Sequence, residues 1–158
     1  MFLDYDTLIG GFDSGGVLFT IEPRPSELQV QPASIDLILG GDVGDEFTIE
    51  PGEFMLAHTR ERITLSERVC GLVMGKSSWG RMGLQIQNAG WVDPGFSGQL
   101  TLELANQSQI PIKLHVGDFI CQIAIAMLFA PTRVAYGDPR LNSHYQGQMG
   151  TTKSWMER

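Results

Sequence analysis

Short apolar runs, separated by glycine and proline (19 and 8 of 158 residues), set the pattern of the chain and suit strands joined by turns better than long helices. They predict strands over residues 17–21, 35–39, 47–49, 54–58, 69–74, 84–87, 99–104, 110–114 and 120–129. In the seventh run the alternation puts Leu100, Leu102 and Leu104 on one strand face and Thr101 and Glu103 on the other. Helix signals are weak: Ser66-Glu67-Arg68 reads as a turn, and residues 77–82 read as one brief helix after Gly75-Lys76. Pro23, Pro25, Pro32 and Pro51 hold the first third to extended or loop structure. With no repeat or composition break, residues 1–158 read as one all-β domain. From about residue 138 to 158 the chain turns polar and glycine-rich, as a flexible C-terminal arm or a frayed terminus would.

Composition narrows the function. A hydrophobic content of 42% at this length is enough for a real core. The net charge of −7 argues against nonspecific nucleic-acid binding, although a pocket can be locally basic, and Lys76, Arg81, His144 and Lys153 could make it so. No apolar run of membrane-spanning length and no leader pattern stand out, so the expectation is a cytoplasmic protein without membrane contact. Cys70 and Cys121 sit among Val, Leu and Ile and read as buried, reduced thiols. Without CxxC or HxE spacing they cannot build the zinc site of the common nucleobase deaminases.

Three features between Gly75 and Asn106 can carry chemistry. In Gly75-Lys76-Ser77-Ser78-Trp79-Gly80-Arg81, glycines let backbone N–H groups approach an anion, serines add donors, and Lys76 and Arg81 add charge. The segment lacks P-loop spacing, and an ordinary Gly/Ser turn has the same composition. In Trp91-Val92-Asp93-Pro94-Gly95-Phe96, Asp before Pro-Gly is a turn signature; the apolar residues before it also suit Asp93 to a sugar hydroxyl or a water. Glu103 is unusual in a strand: it either faces solvent or lines a pocket, where a half-buried carboxyl can move protons.

Blocks 75–81, 89–98 and 99–106 together resemble the dCTP deaminase and dUTPase family, most closely the type that both deaminates dCTP and hydrolyses dUTP. The likeness extends to Gln31-Pro32-Ala33-Ser34-Ile35-Asp36-Leu37, to residues 111–122 and to Tyr145-Gln146-Gly147-Gln148. The resemblance implies a distorted β-barrel or jelly roll of six to eight strands, a homotrimer with active sites between subunits, and Mg²⁺ bound mainly through the nucleotide triphosphate rather than by protein side chains. It implies Glu103 as the general acid/base, Ser77 and Arg81 orienting water and stabilising charge, and the Ala89 carbonyl near the base. Lys76 and Ser78 would contact phosphates, and Asp93 the deoxyribose 3′-hydroxyl or the water attacking the α-phosphorus. Thr101, Leu102, Gln122, Tyr136 and Gln148 match nucleotide-contacting positions.

The chain also departs from that pattern. Ile38 stands where the family often has Arg, and His144 where a Lys often precedes the Tyr-Gln-x-Gln segment. The connection from Arg81 to Asp93 is one residue shorter than in deaminase-only members, which, with Ala89-Gly90-Trp91, favours the bifunctional type. A dUTP diphosphatase without deaminase activity, and a trimer that senses dCTP or dTTP and signals through a partner, stay open as alternatives. The resemblance also allows dTTP as an inhibitor.

Overall fold

The computed structural model describes residues 1–13, 15–41, 44–87 and 90–157. In chain order the strands are β1 (Phe19–Glu22), β2 (Val30–Gln31), β3 (Ser34–Ile38), β4 (Glu46–Ile49), β5 (Phe54–Leu65), β6 (Val69–Gly75), β7 (Leu84–Gln87), β8 (Trp91–Val92), β9 (Ser97–Asn106), β10 (Ile112–His115) and β11 (Phe119–Met127). They pair antiparallel in three sheets, ordered β1-β5-β9-β7, β2-β3-β11-β6-β8 and β10-β4. One apolar core draws on all three, including Ile63 and Leu102, Ile35 and Ile123, and Ile49 and Leu114. This is the all-β architecture expected from the sequence, with eleven strands among the described residues where the resemblance implied six to eight; those beyond the nine predicted runs are β2 and β8, each of two residues.

All nine predicted strands are present, with ends moved by the turns around them. The short helix is α2 (Ser77–Arg81). A first helix, α1 (Tyr5–Asp13), is not among the predicted elements. It starts where Asp4 Oδ1 accepts the Thr7 backbone N–H at 3.0 Å, an N-cap bond. Gly11 costs helix propensity but is needed there, because a Cβ at that position would stand 2.8 Å from the Phe19 ring. Phe12 meets the same ring edge-on at 5.4 Å.

Strand β5 runs well beyond its predicted end. Between His58, opposite Thr101, and Arg62, opposite Gln99, it carries a bulge: four steps on β5 answer two on β9. The Thr59 hydroxyl repairs the ladder, accepting the Leu100 N–H at 3.0 Å and donating to the Glu61 carbonyl at 2.8 Å. The bulge turns Glu61 into the interior, where it is fully buried. Its Oε2 accepts the Ile38 N–H at 2.9 Å, and its Oε1 accepts the Gln29 amide at 3.0 Å and the Arg60 guanidinium at 3.2 Å. Gln29 also donates to the Asp36 carbonyl at 2.9 Å, so one carboxylate ties β5 to β3 across the two large sheets.

Both cysteines are free and buried. Burial, reinforced by the nearby Glu61 and Asp36 carboxylates, pushes the Cys121 thiol far above its ordinary range. Beyond Met127 the described residues form no further strand, and the chain runs back along β9. Gly147 N–H donates to the Ser97 carbonyl at 2.7 Å, Gln99 N–H to the Gln148 carbonyl at 3.0 Å, and Gly150 N–H to the Gln99 side chain at 2.6 Å. Among the described residues β7 pairs with 103–106 of β9, and the segment takes the edge further along. Among the described residues no helix is long and apolar enough to cross a membrane.

Replacing Glu61 with Ala strands the buried Ile38 N–H and the Gln29 amide. We expect a loss of about 3 kcal/mol in urea unfolding, with a smaller loss for Glu61→Gln. A loss below about 1 kcal/mol would show that the carboxylate is not the tie between the sheets.

Candidate active site

The site is built around the turn after β8. The Asp93 carbonyl accepts the Phe96 N–H at 3.1 Å, with Pro94 and Gly95 as the central residues. Gly95 has φ +85°, the conformation that a type II turn demands at its third position. A Cβ there would also stand 2.6 Å from Ala135 Cβ. Tyr136 N–H donates to the Pro94 carbonyl at 2.8 Å, and its ring meets Phe96 at 5.8 Å, so the turn is held from both sides. The Asp-Pro-Gly signature is therefore a real turn that also aims Asp93 at a cavity.

That cavity, about 440 Å³, lies between the turn, the outward face of β9 and the C-terminal segment. Asp93, Thr101, Glu103, Tyr136 and Gln148 all line it. The burial alternation of β9 places Glu103 half-buried beside Thr101, opposite Leu56 of β5 and Gln87 of β7. Among the described residues no hydrogen bond ties down its carboxylate, which leaves it open to a ligand. Leu102 is a correction: its side chain is fully buried in the core on the other face of β9, so it can offer a nucleotide only its backbone.

The C-terminal segment covers this cavity. Gln148 Nε2 donates to the Gln99 carbonyl at 2.7 Å, and Thr152 N–H donates to Thr101 Oγ1 at 3.2 Å. The Tyr136 hydroxyl accepts the Tyr145 N–H at 3.2 Å. His144 stacks on Trp155 with centroids 4.1 Å apart, while Lys153 is exposed. Upstream, the Arg140 guanidinium grips Asp138 and holds its carboxyl down to about 2. Tyr145 and Thr152 line the cavity without having been singled out from the sequence. Tyr145 at least lies in a block that carries the family resemblance, whereas nothing local marks Thr152.

Lys76, Ser77, Ser78, Arg81 and Gln122 form a second group, and none of them lines the cavity. Helix α2 is pinned by the Trp79 indole, which donates to the Phe119 carbonyl at 2.9 Å. Ser77, Ser78 and Arg81 are exposed, and among the described residues their side chains make no hydrogen bond. Lys76 is committed: its ammonium pairs with Oδ2 of the buried Asp36 carboxylate on β3, whose Oδ1 has no hydrogen-bond partner among the described residues. Gln122 accepts the Ser34 hydroxyl at 3.2 Å on the same sheet. The two groups belong to opposite ends of β7: Leu84, next to α2, pairs with Asn106, and Gln87 pairs with Glu103. Three residue steps separate these ends, roughly 10 Å.

Ala89 lies outside the described residues. Ile38, where the family often has Arg, is buried, with its N–H on the Glu61 carboxylate. Among the described residues no three His, Cys, Asp or Glu side chains converge as a metal cage. The donor set fits an ion that arrives with a ligand of its own better than one resident on the protein.

Residues 41–128 match the sequence model of the dCTP deaminase-like family. The chain is 48% identical over 112 residues to a dUMP-forming dCTP deaminase of Corynebacterium efficiens, covering 70% of this chain and 58% of that protein. To a dUMP-forming dCTP deaminase of Persephonella marina it is 40% identical over 154 residues, covering 80% and 83%. The chain belongs to the dCTP deaminase-like family. It spans less than two thirds of the corynebacterial relative's length. Among solved structures it is similar in fold to the 2′-deoxycytidine 5′-triphosphate deaminase of Agrobacterium tumefaciens, with TM-score 0.66 at 21% identity over 80% of this chain and 48% of that one. It is also similar to a mutant dUTPase from phage phi11 of S. aureus that coordinates a structural Mg(II) ion, with TM-score 0.59 at 16% identity over 72% and 93%.

Gly95→Ala places a Cβ at positive φ against Ala135. It should destabilise the protein by about 1–3 kcal/mol in thermal unfolding. An unchanged melting temperature would mean that the turn does not depend on glycine.

Proposed function

We propose that this protein deaminates dCTP to dUTP and ammonia without zinc, and hydrolyses dUTP to dUMP and pyrophosphate in the same site. The observation that carries this reading is the placement of Glu103 and Asp93 in one cavity of a chain whose relatives are named dUMP-forming dCTP deaminases. In the first step Glu103 takes a proton from water as the oxygen adds to C4 of cytosine. It then gives a proton to the exocyclic nitrogen, which leaves as ammonia; one half-buried carboxyl suffices for both transfers. In the second step water attacks the α-phosphorus, Asp93 receives its proton and pyrophosphate departs.

Ser77 and Arg81 are assigned to orienting the water and stabilising the developing charge, Lys76 and Ser78 to the phosphates, and Asp93 also to the 3′-hydroxyl. Thr101, Gln122, Tyr136, Gln148, the Leu102 backbone and the Ala89 carbonyl are assigned to holding the nucleotide. Mg²⁺ comes with the triphosphate as part of the substrate, in the cytoplasm. Within one protomer the loop residues lie outside the cavity that holds Glu103, which supports a site completed by a neighbouring copy. A homotrimer, in which each cavity meets the α2 of the next subunit, supplies both halves three times over.

The assay is incubation with dCTP and Mg²⁺, following ammonia, dUTP, dUMP and pyrophosphate. Ammonia with dUMP is the expected result. Accumulating dUTP would remove the second step, and turnover of supplied dUTP alone would leave a diphosphatase. Binding of dCTP or dTTP without turnover would point to a sensor. Glu103→Gln should lower ammonia release by about 100-fold or more while nucleotide still binds; near-normal deamination by that variant would overturn the assignment.

The shared site has its own test. Arg81→Ala and Glu103→Gln are each expected to be inactive. Unfolded and reassembled together at equal amounts, they should recover about a quarter of wild-type activity, because that share of mixed sites has both halves intact. No recovery in demonstrably mixed oligomers would place both groups on one protomer's site.

A further inference from the structure

Trp91 is the most exposed large aromatic beside the cavity, 58% exposed, while its neighbour Val92 is buried. On β8 the two side chains point to opposite faces, so Val92 anchors the strand and the indole is left exposed; both residues line the cavity. Asp93 follows directly as the first residue of the turn. The Trp91 indole N–H donates to Asp93 Oδ1 at 2.9 Å. Packing does not explain this bond: the ring is largely solvent-facing, and an exposed carboxylate has water available in place of the indole.

We propose that Trp91 is a positioning residue for Asp93. Its indole occupies Oδ1 and fixes the carboxylate plane, so that Oδ2 is the oxygen presented to the cavity. A free aspartate on an exposed turn samples several rotamers, each aiming its oxygens differently. A donor on the rigid indole selects one, and a hydrogen bond to a charged acceptor is among the stronger ones available. The group that Oδ2 then meets is the nucleotide's 3′-hydroxyl, so Trp91 acts on sugar recognition without touching the sugar. This inference rests on the assignment of Asp93 to that hydroxyl.

Trp91→Phe keeps an aromatic ring and removes only the donor. The measurement is kcat/KM for dCTP and for 2′,3′-dideoxycytidine triphosphate, which lacks the 3′-hydroxyl, in the wild type, Trp91→Phe, Asp93→Ala and the double variant. We expect Trp91→Phe to lower kcat/KM for dCTP about tenfold and to leave the dideoxy nucleotide nearly unchanged. In the Asp93→Ala background the same substitution should add no further loss. Equal losses with both nucleotides, or an undiminished loss in that background, would mean that the ring acts by packing and would overturn the inference. So would an unaltered Trp91→Phe enzyme. Full discrimination by Asp93→Ala would overturn the assignment of Asp93 itself, and the inference with it, whereas impaired Asp93→Ala beside intact Trp91→Phe would overturn the inference alone.

Discussion

The buried carboxylate of Glu61 is the constraint on which the rest of the domain depends. A charge taken out of water is costly unless hydrogen bonds replace its hydration. Glu61 has a backbone N–H, a side-chain amide and a guanidinium as donors, drawn from β3, from the 3-10 turn before β2 and from Arg60 beside it. Those donors can be met only if β5 bulges, and the bulge fixes how β5 and β9 run past each other. Beyond it the register resumes with Arg62 opposite Gln99; before it, His58 faces Thr101 and Leu56 faces Glu103. The face on which Glu103 emerges is thus set by an acid on the opposite side of the sheet.

Strand β9 consequently does three jobs. Its inward leucines fill the core, its outward residues Thr101 and Glu103 form the cavity wall, and its edge from Ser97 to Thr101 receives the C-terminal segment. The described pairing of β7 covers Glu103 to Asn106, and the segment that covers the cavity docks on β9 from Ser97 to Thr101. The wall and its cover therefore share one strand, and bonds that seat the cover also fix Thr101 beside Glu103.

What could be read in the sequence follows from what is local. Period-two alternation was enough to place Glu103 and Thr101 on one face, and Asp-Pro-Gly was enough to place the turn. Helix α1 was hidden by Gly10 and Gly11, one of which exists for contact with Phe19, a tertiary demand that no local rule encodes. The second half of β5 was hidden because Thr59-Arg60-Glu61-Arg62 breaks the alternation where the strand bulges. Leu102 was a nucleotide contact by resemblance and a core residue by periodicity, and for its side chain periodicity was the better guide. The pairing of Lys76 with Asp36 spans 40 positions and has no local signal.

That last pairing changes how charge is distributed in the proposed site. The loop from Gly75 to Arg81 carries two cations in the sequence, but in the fold Asp36 neutralises Lys76, and Arg81 alone stays uncommitted among its described neighbours. Among the described residues that line the cavity, the charged side chains are those of Asp93 and Glu103. In a protein of net charge −7, a triphosphate would be repelled by the cavity half and attracted by the exposed loop. In the proposed complex a nucleotide spanning both halves would put its base and sugar against the acids and its phosphates, with their Mg²⁺, toward Arg81 and the serines. Separation of the two groups within a protomer is electrostatically coherent with that proposal: each half alone would be a poor site for the whole ligand, and joining them across the proposed interface would make binding depend on assembly.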